Sequence, residues 1–320
     1  MSEFSGYTKT AMDAVKNEIA KVVVGQERLA DMALTTLLSG GHALIEGAPG
    51  LAKTLWSRAL AFALSIDFKR MQFTSDLMPS DILGTKIYDM KNSEFILRKG
   101  PLFTNLFLAD EINRTPPKTQ SALLEVMQER SITIDGQKNA LSEPFIVIAT
   151  QNPIEYEGAY PLPESLTDRF MMKISVAYPG VAAEKRVLMM HNGGFDVSKL
   201  EQAGVIPVCS AQDIARCKEE IKDVNVDESV INYIVSIVET TRRINAAAYG
   251  SSPRGAVALL LCSKSYAAMN GRGFVVPDDV KEVAMPALRH RVALKPEAEM
   301  DGVNADQVIE DILSKVKVPR

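Results

Sequence analysis

His42-Ala-Leu-Ile-Glu-Gly-Ala-Pro-Gly-Leu-Ala-Lys-Thr54 joins an apolar run, a Gly/Pro-rich loop and a Lys-Thr pair. That order predicts a strand, a tight turn and the start of a helix. Gly47 to Thr54 fits the pattern GxxxxGK[ST], except that Ala52 stands where a second glycine is usual. Gly47 and Gly50 permit a backbone tight enough to turn successive N–H groups inward, and such a nest attracts anions. The helix beginning at Ala52 adds the partial positive charge of its N-terminus. Lys53 can reach the outer phosphates of a nucleotide, and the Thr54 hydroxyl can ligate Mg²⁺. Residue 52 is expected at helix-like dihedrals, where a methyl group is tolerated.

Two further strand ends supply what such a site needs. Leu106-Phe-Leu-Ala-Asp-Glu111 is an apolar strand ending in two acids. At the C-terminal end of a central strand, Asp110 can hold Mg²⁺ through water and Glu111 can polarise the attacking water. The apolar run Phe145–Thr150 leads into Gln151-Asn152. An uncharged amide there can orient the lytic water or sense the terminal phosphate, although a turn-capping asparagine would look the same.

Outward from these motifs, short apolar runs alternate with helical patterns as far as Pro179. The candidate strands are His42–Glu46, Arg70–Phe73, Leu106–Asp110, Phe145–Thr150 and Met171–Val176. They read as the centre of a parallel α/β sheet. Beyond Pro179 helical periodicity takes over, at Ala182–His191, Ala211–Lys222, Glu228–Ile244, Pro253–Asn270 and Pro277–His290. The expected organisation is an α/β nucleotide-binding core over 1–195 and a smaller all-helical lid over 196–320. Two hairpins interrupt the core, one at Ser131–Gln137 turning at Asp135-Gly136, the other joining Gly84–Tyr88 to Glu94–Arg98. They are either surface ornament or a place where a partner is touched.

With 320 residues, 46% of them hydrophobic, the chain can bury a substantial core. Cys209, Cys217 and Cys262 lack metal-site or redox spacing, which suits free thiols in a reducing compartment. His42, His191 and His290 lie in unlike contexts, so no metal or base role is expected of them. The opening segment carries Glu3, Asp13 and Glu18 without an apolar stretch and does not read as a signal peptide. No apolar run is long enough to span a bilayer, and a cytoplasmic protein is expected. A formal net charge of −4 gives no bulk attraction to nucleic acid. Trp56 is expected to pack on the first helix of the core, and Met189, Met190, Met269 and Met285 to serve as lid core.

Together these residues resemble the AAA+ ATPases, and one stretch narrows the family. Ala109-Asp-Glu-Ile-Asn-Arg-Thr-Pro-Pro-Lys-Thr-Gln-Ser-Ala-Leu-Leu-Glu-Val-Met-Gln-Glu129 is similar to the MoxR signature after its acidic strand. The loop Gly47–Thr54, alanine included, also resembles that family's phosphate loop. Val23-Val-Gly-Gln26 matches the segment that lies near the adenine in AAA+ proteins. The resemblance implies a P-loop ATPase that hydrolyses ATP with Mg²⁺. Its expected nucleotide contacts are Val24, Gly47, Ala48, Pro49, Gly50, Leu51, Ala52, Lys53, Thr54 and Leu55, with Thr54 and Asp110 toward the metal. It also implies that Glu111 is catalytic, that Asn152 is the first sensor, and that Arg169 in Leu166-Thr-Asp-Arg-Phe170 is an arginine finger. Arg254 in Ser252-Pro-Arg-Gly255 would be the second sensor.

Without the resemblance, Arg169 reads as a surface partner of Asp168 or Glu164, and Arg254 as a capping or lid-packing cation. Arg114 is a further candidate. Such proteins form ring hexamers, and MoxR members act as chaperone-like activators of client proteins, often ones with a von Willebrand factor A domain. The alternative is a nucleic-acid motor of the MCM-related type, since those relatives share the hairpins. Against it, the Ser131–Leu141 hairpin offers Lys138 alone beside Asp135, with no aromatic residue to stack a base.

Overall fold

The computed structural model describes residues 4–152 and 160–319, so Glu3 lies outside it. The chain begins with α1 (Tyr7–Ala20) and α2 (Glu27–Leu38), then enters β1 (Ala43–Glu46), the glycine-rich loop that follows it and α3 (Lys53–Ala63). Next come β2 (Phe68–Gln72), α4 (Pro79–Leu83), the hairpin β3 (Gly84–Asp89) and β4 (Glu94–Lys99), and β5 (Leu106–Asp110). After α5 (Pro117–Glu129), the hairpin β6 (Ser131–Ile134) and β7 (Gln137–Ala140) precedes β8 (Ile146–Gln151), α6 (Glu164–Thr167) and β9 (Met172–Ser175).

Five strands form one sheet in the order β2-β5-β8-β1-β9, every pairing parallel. Its central strands are buried on both faces, so both sets of alternating side chains are apolar. Ala43, Ile45, Leu106, Leu108, Ile146 and Ile148 join one core with α1, α2 and α3. Leu44, Phe107, Ala109, Val147 and Ala149 join a second core under α5 and the hairpin β6–β7. The five expected strands are the five observed ones, shifted by a residue or two at their ends. Phe73 falls outside β2 yet still donates its N–H to the Asp110 carbonyl (2.8 Å).

Beyond β9 the helices are α7 (Val181–Asn192), α8 (Ala211–Lys222), α9 (Glu228–Arg243), α10 (Pro253–Met269), α11 (Pro277–Leu288), α12 (Pro296–Met300) and α13 (Ala305–Lys315). A short antiparallel pair, β10 (Ala247–Tyr249) with β11 (Ala293–Leu294), interrupts them. Lid side chains such as Leu259, Cys262 and Val283 belong to the same core as α1 and α2. The lid is therefore packed continuously onto one face of the α/β layer. Among the described residues no helix is long and apolar enough to cross a membrane.

Trp56 is fully buried on α3, and the three cysteines are free and buried. Met269 is buried and Met285 packs against the core, but Met189 is 65% exposed. The reason is that α7 buries none of its side chains; it forms a cleft wall rather than a core layer.

His42 has a structural task. Its Nδ1 accepts from the Val147 N–H (2.9 Å) and its Nε2 donates to the Met127 carbonyl (3.0 Å), tying β8 to the end of α5. Burial pushes its pKa down from 6.5 to about 4. Burial, with the charge of Arg291 next, also pushes His290 well below its usual range. A depressed folded-state value means the unfolded chain binds the proton first. The stability contributed by neutral His42 is complete above 6.5 and lost as pH falls toward 4. Thermal or denaturant unfolding should show His42 contributing about 2 kcal/mol of the stability lost between about pH 7 and about pH 5. A His42→Gln variant should lack that part of the slope.

Candidate functional site

Parallel strands put every strand's C-terminal end at one edge of the sheet, where open α/β sheets bind ligands. The ends of β1, β5 and β8 meet there around a cleft of about 850 Å³. Its polar end is lined by Gly50, Ala52, Lys53, Thr54, Asp110, Glu111, Thr150 and Asn152. Its apolar end is lined by Val22, Val23, Val24, Leu51, Leu188, Met190 and Phe195, with α7 as one wall. Pro49 and Leu55 also line it; Gly47 and Ala48 lie in the same loop.

The loop has the shape its sequence requires. Gly50 sits at φ 83°, in the left-handed region. A Cβ on Gly47 would stand 2.8 Å from the Val176 carbonyl, so β9 can approach only because the side chain is absent. Lys53 Nζ donates to the Gly47 carbonyl (2.7 Å) and spans the loop. Ala52 departs from expectation. It lies at φ 54°, ψ 23°, a left-handed N-cap rather than a helical position, although its carbonyl already accepts from the Trp56 N–H (2.8 Å). A left-handed φ is the conformation that favours glycine over a residue with a Cβ, which is why glycine is usual there. Ala52→Gly should therefore raise stability by up to about 1 kcal/mol in chemical unfolding and leave ATP affinity unchanged.

β8 stands between β1 and β5, so Asn152 emerges between the phosphate loop and the two acids. The acids are held in part by Thr150 and Arg70, which were not foreseen from sequence, together with Arg114, which was a candidate. Thr150 Oγ1 donates to Asp110 Oδ1 (2.5 Å) and accepts from the Glu111 N–H (2.9 Å). Arg70 on β2 donates from Nε (3.0 Å) and Nη2 (2.7 Å) to Asp110 Oδ2, and Thr54 Oγ1 lies 3.5 Å from that oxygen. Glu111 adopts φ 56°, ψ 52°, and Arg114 Nη1 donates to its Oε2 (3.0 Å). A left-handed glutamate costs about 1–3 kcal/mol of strain, which the Thr150 hydrogen bond helps offset. A threonine ending an apolar strand was the only hint of this in the sequence. Arg70 became identifiable only once β2 paired with β5.

Arg169 and Arg254 are not in this cleft. Both line a second one, of about 430 Å³, with His42, Asp168, Val257 and Arg291. His42 precedes β1 and Met171 precedes β9, so this cleft lies at the N-terminal edge of the sheet. Asp168 pairs with Arg291 (2.8 Å) and Arg254 (3.7 Å) rather than with Arg169, whose buried Nε has no partner among the described residues.

The chain matches the family model for the "ATPase family associated with various cellular activities (AAA)" over residues 42–172, and an AAA lid domain over 239–312. It is 46% identical to an uncharacterised Bacillus subtilis protein, YeaC, over 94% of this chain and 92% of that one. It is 41% identical to chaperone MoxR1 of Mycobacterium tuberculosis over 95% of this chain and 81% of that protein. The chain belongs to the MoxR family of AAA+ ATPases. A crystal structure of a candidate ATPase from Cytophaga hutchinsonii superposes with a TM-score of 0.90 at 43% identity, covering 98% of this chain and 96% of that one. The MoxR chain is thus an ATP-hydrolysing enzyme with the α/β P-loop fold and a helical lid. Nucleotide binding follows from that membership, and the cleft at the strand ends offers it a phosphate loop and an apolar recess.

Proposed function

We propose that this MoxR ATPase is a Mg²⁺-dependent, ring-forming chaperone-like motor that remodels or activates protein partners in the cytoplasm. The observation that carries the reading is the separation of the two clefts. Strands of four to six residues span about 13–20 Å, so Arg169 and Arg254 stand a strand's length from their own phosphate loop. Two arginines with no phosphate of their own to serve suit the nucleotide of an adjacent copy. A closed ring, the expected homo-hexamer, repeats that head-to-tail contact at every interface.

On this reading the chain's groups divide the work of hydrolysis. The loop amides and Lys53 bind the phosphates, and the recess around Val24 takes the adenine. Thr54 and Asp110 form a hydroxyl–carboxylate pair suited to Mg²⁺, which when bound neutralises charge on the phosphate oxygens. Glu111 polarises the attacking water, Asn152 orients it, and the neighbour's Arg169 and Arg254 stabilise the developing charge. We also divide the chain into core and lid at 195/196, because α7 and Phe195 line the nucleotide cleft with the core.

A protein client is favoured by the hairpin β3–β4. It exposes Met90 (88%) and Phe95 (70%) and packs Tyr88 edge-on against Phe95 at 5.3 Å. An apolar, aromatic tip suits a polypeptide, and a von Willebrand factor A domain protein is the client class that the family suggests. In the other hairpin Lys138 is paired with Glu129 (3.2 Å), which leaves little for a nucleic-acid backbone.

Lys53→Ala should abolish tight ATP binding in a calorimetric titration. Glu111→Gln should keep it while slowing turnover by about a hundredfold or more, since only activation of water is lost; turnover at the wild-type rate would assign the water to another group. The same variant, used as bait, should retain the client.

Arg169→Ala should bind ATP normally and hydrolyse it poorly, because a finger arginine contributes roughly 10³–10⁵ in rate. Mixing Arg169→Ala with Lys53→Ala subunits should restore part of the activity, as some interfaces then join an intact loop to an intact finger. If subunits exchange and only the summed residual activities remain, the action in trans is wrong.

A further inference from the structure

The second cleft is built around a buried guanidinium. Arg291 follows α11, and its side chain is only 3% exposed. Its Nε donates to Asp168 Oδ1 (2.8 Å), and its Nη2 to the carbonyls of Asp168 (3.0 Å) and Phe170 (2.7 Å). Its Nη1 donates to the carbonyls of Met171 (3.1 Å) and Ala287. One lid side chain therefore holds the backbone on both sides of Arg169. His290 Nε2 donates to the same Phe170 carbonyl (3.0 Å). The Asp168 carboxylate continues the network to α10: its Oδ2 faces Arg254 Nη1 (3.7 Å) and accepts from Ser252 Oγ (3.3 Å), the N-cap of that helix.

We infer that Arg291 and Asp168 are positioning residues that set Arg169, from the core, and Arg254, from the lid, as one preassembled two-arginine unit for delivery to an adjacent subunit. This rests on the proposed action of those arginines in trans. Arg169 follows a four-residue helix, α6, and so has no long element of its own to hold it, while Arg254 lies in the first turn of the long α10, where its side chain reaches Asp168. A planar fork reaching a carboxylate and four carbonyls sets backbone direction, which a lysine ammonium cannot reproduce. Burying that charge is unfavourable unless every donor is used, and here Nε, Nη1 and Nη2 all have acceptors. Lid and core are thereby joined beside the two arginines. A shift of the lid would move both together.

The test uses full-length Arg291→Lys and the isosteric Asp168→Asn, which keeps an acceptor for Arg291 but removes the anion facing Arg254. Both should bind ATP with a KM within about twofold of wild type while kcat falls, by tenfold or more for Arg291→Lys and several-fold for Asp168→Asn. Each should recover activity when mixed with Lys53→Ala subunits, whose fingers are intact. General damage to the subunit would block that recovery, because its own phosphate loop would fail too. Adding Arg169→Ala to either variant should lower kcat little below Arg169→Ala alone, since the residues act through one group. If Arg169→Ala is impaired but Arg291→Lys and Asp168→Asn turn over at the wild-type rate, the positioning role is wrong and the trans reading stands. The same holds if they are impaired and Lys53→Ala subunits do not rescue them. If Arg169→Ala itself turns over normally in the assembled protein, the trans reading falls and this inference with it.

Discussion

All five strands of the sheet run in one direction, and most of the molecule's chemistry follows from that constraint. Whatever follows a strand lies at one edge, and whatever precedes a strand lies at the other. The phosphate loop, Asp110, Glu111 and Asn152 all follow strands and converge on one cleft. Arg169 precedes β9 and is carried to the far edge. The strand order adds a second constraint. With β8 between β1 and β5, Thr150 reaches Asp110 and Glu111 sideways, while Asn152 emerges beside the phosphate loop.

The site is held by strain as well as by hydrogen bonds. Ala52 and Glu111 both adopt positive φ, each at a point where a strand or loop changes direction. Such conformations persist only where the surroundings over-determine them. For Glu111 the Thr150 hydroxyl and the Arg114 guanidinium do so, and for Ala52 the helix it caps. The opposite edge uses a different device, a buried Arg291 that supplies several hydrogen bonds from one side chain. Charge balance differs as well. Asp110 is partnered by Arg70 and Glu111 by Arg114, whereas the Arg169 Nε lacks a partner among the described residues.

The lid is more than a cover. Its helices share a core with α1 and α2, and its Arg291 grips the segment before β9. A lid attached through side chains so close to Arg169 and Arg254 ties its position to theirs. Met189 marks the other side of the arrangement: α7 buries nothing, and its inner face lines the cleft at the strand ends.

The sequence by itself determined the sheet strands, the two hairpins, the phosphate loop and the acidic pair. Each rests on local chemistry, because apolar alternation, glycine spacing and turn residues act over a few positions. His42–Thr54 and Leu106–Glu111 were sufficient for that. Tertiary structure alone decided three things. The left-handed turn at Ala52 depends on the fold of the whole loop, and a local propensity argument pointed the other way. The partnership of Thr150 and Arg70 with Asp110 depends on which strands lie side by side, a long-range pairing that no single segment encodes. The gathering of Arg169, Arg254, Asp168 and Arg291 joins residues more than a hundred positions apart in the chain through one buried guanidinium. Burial of that kind is a property of packing, and packing becomes visible only when the lid lies against the core.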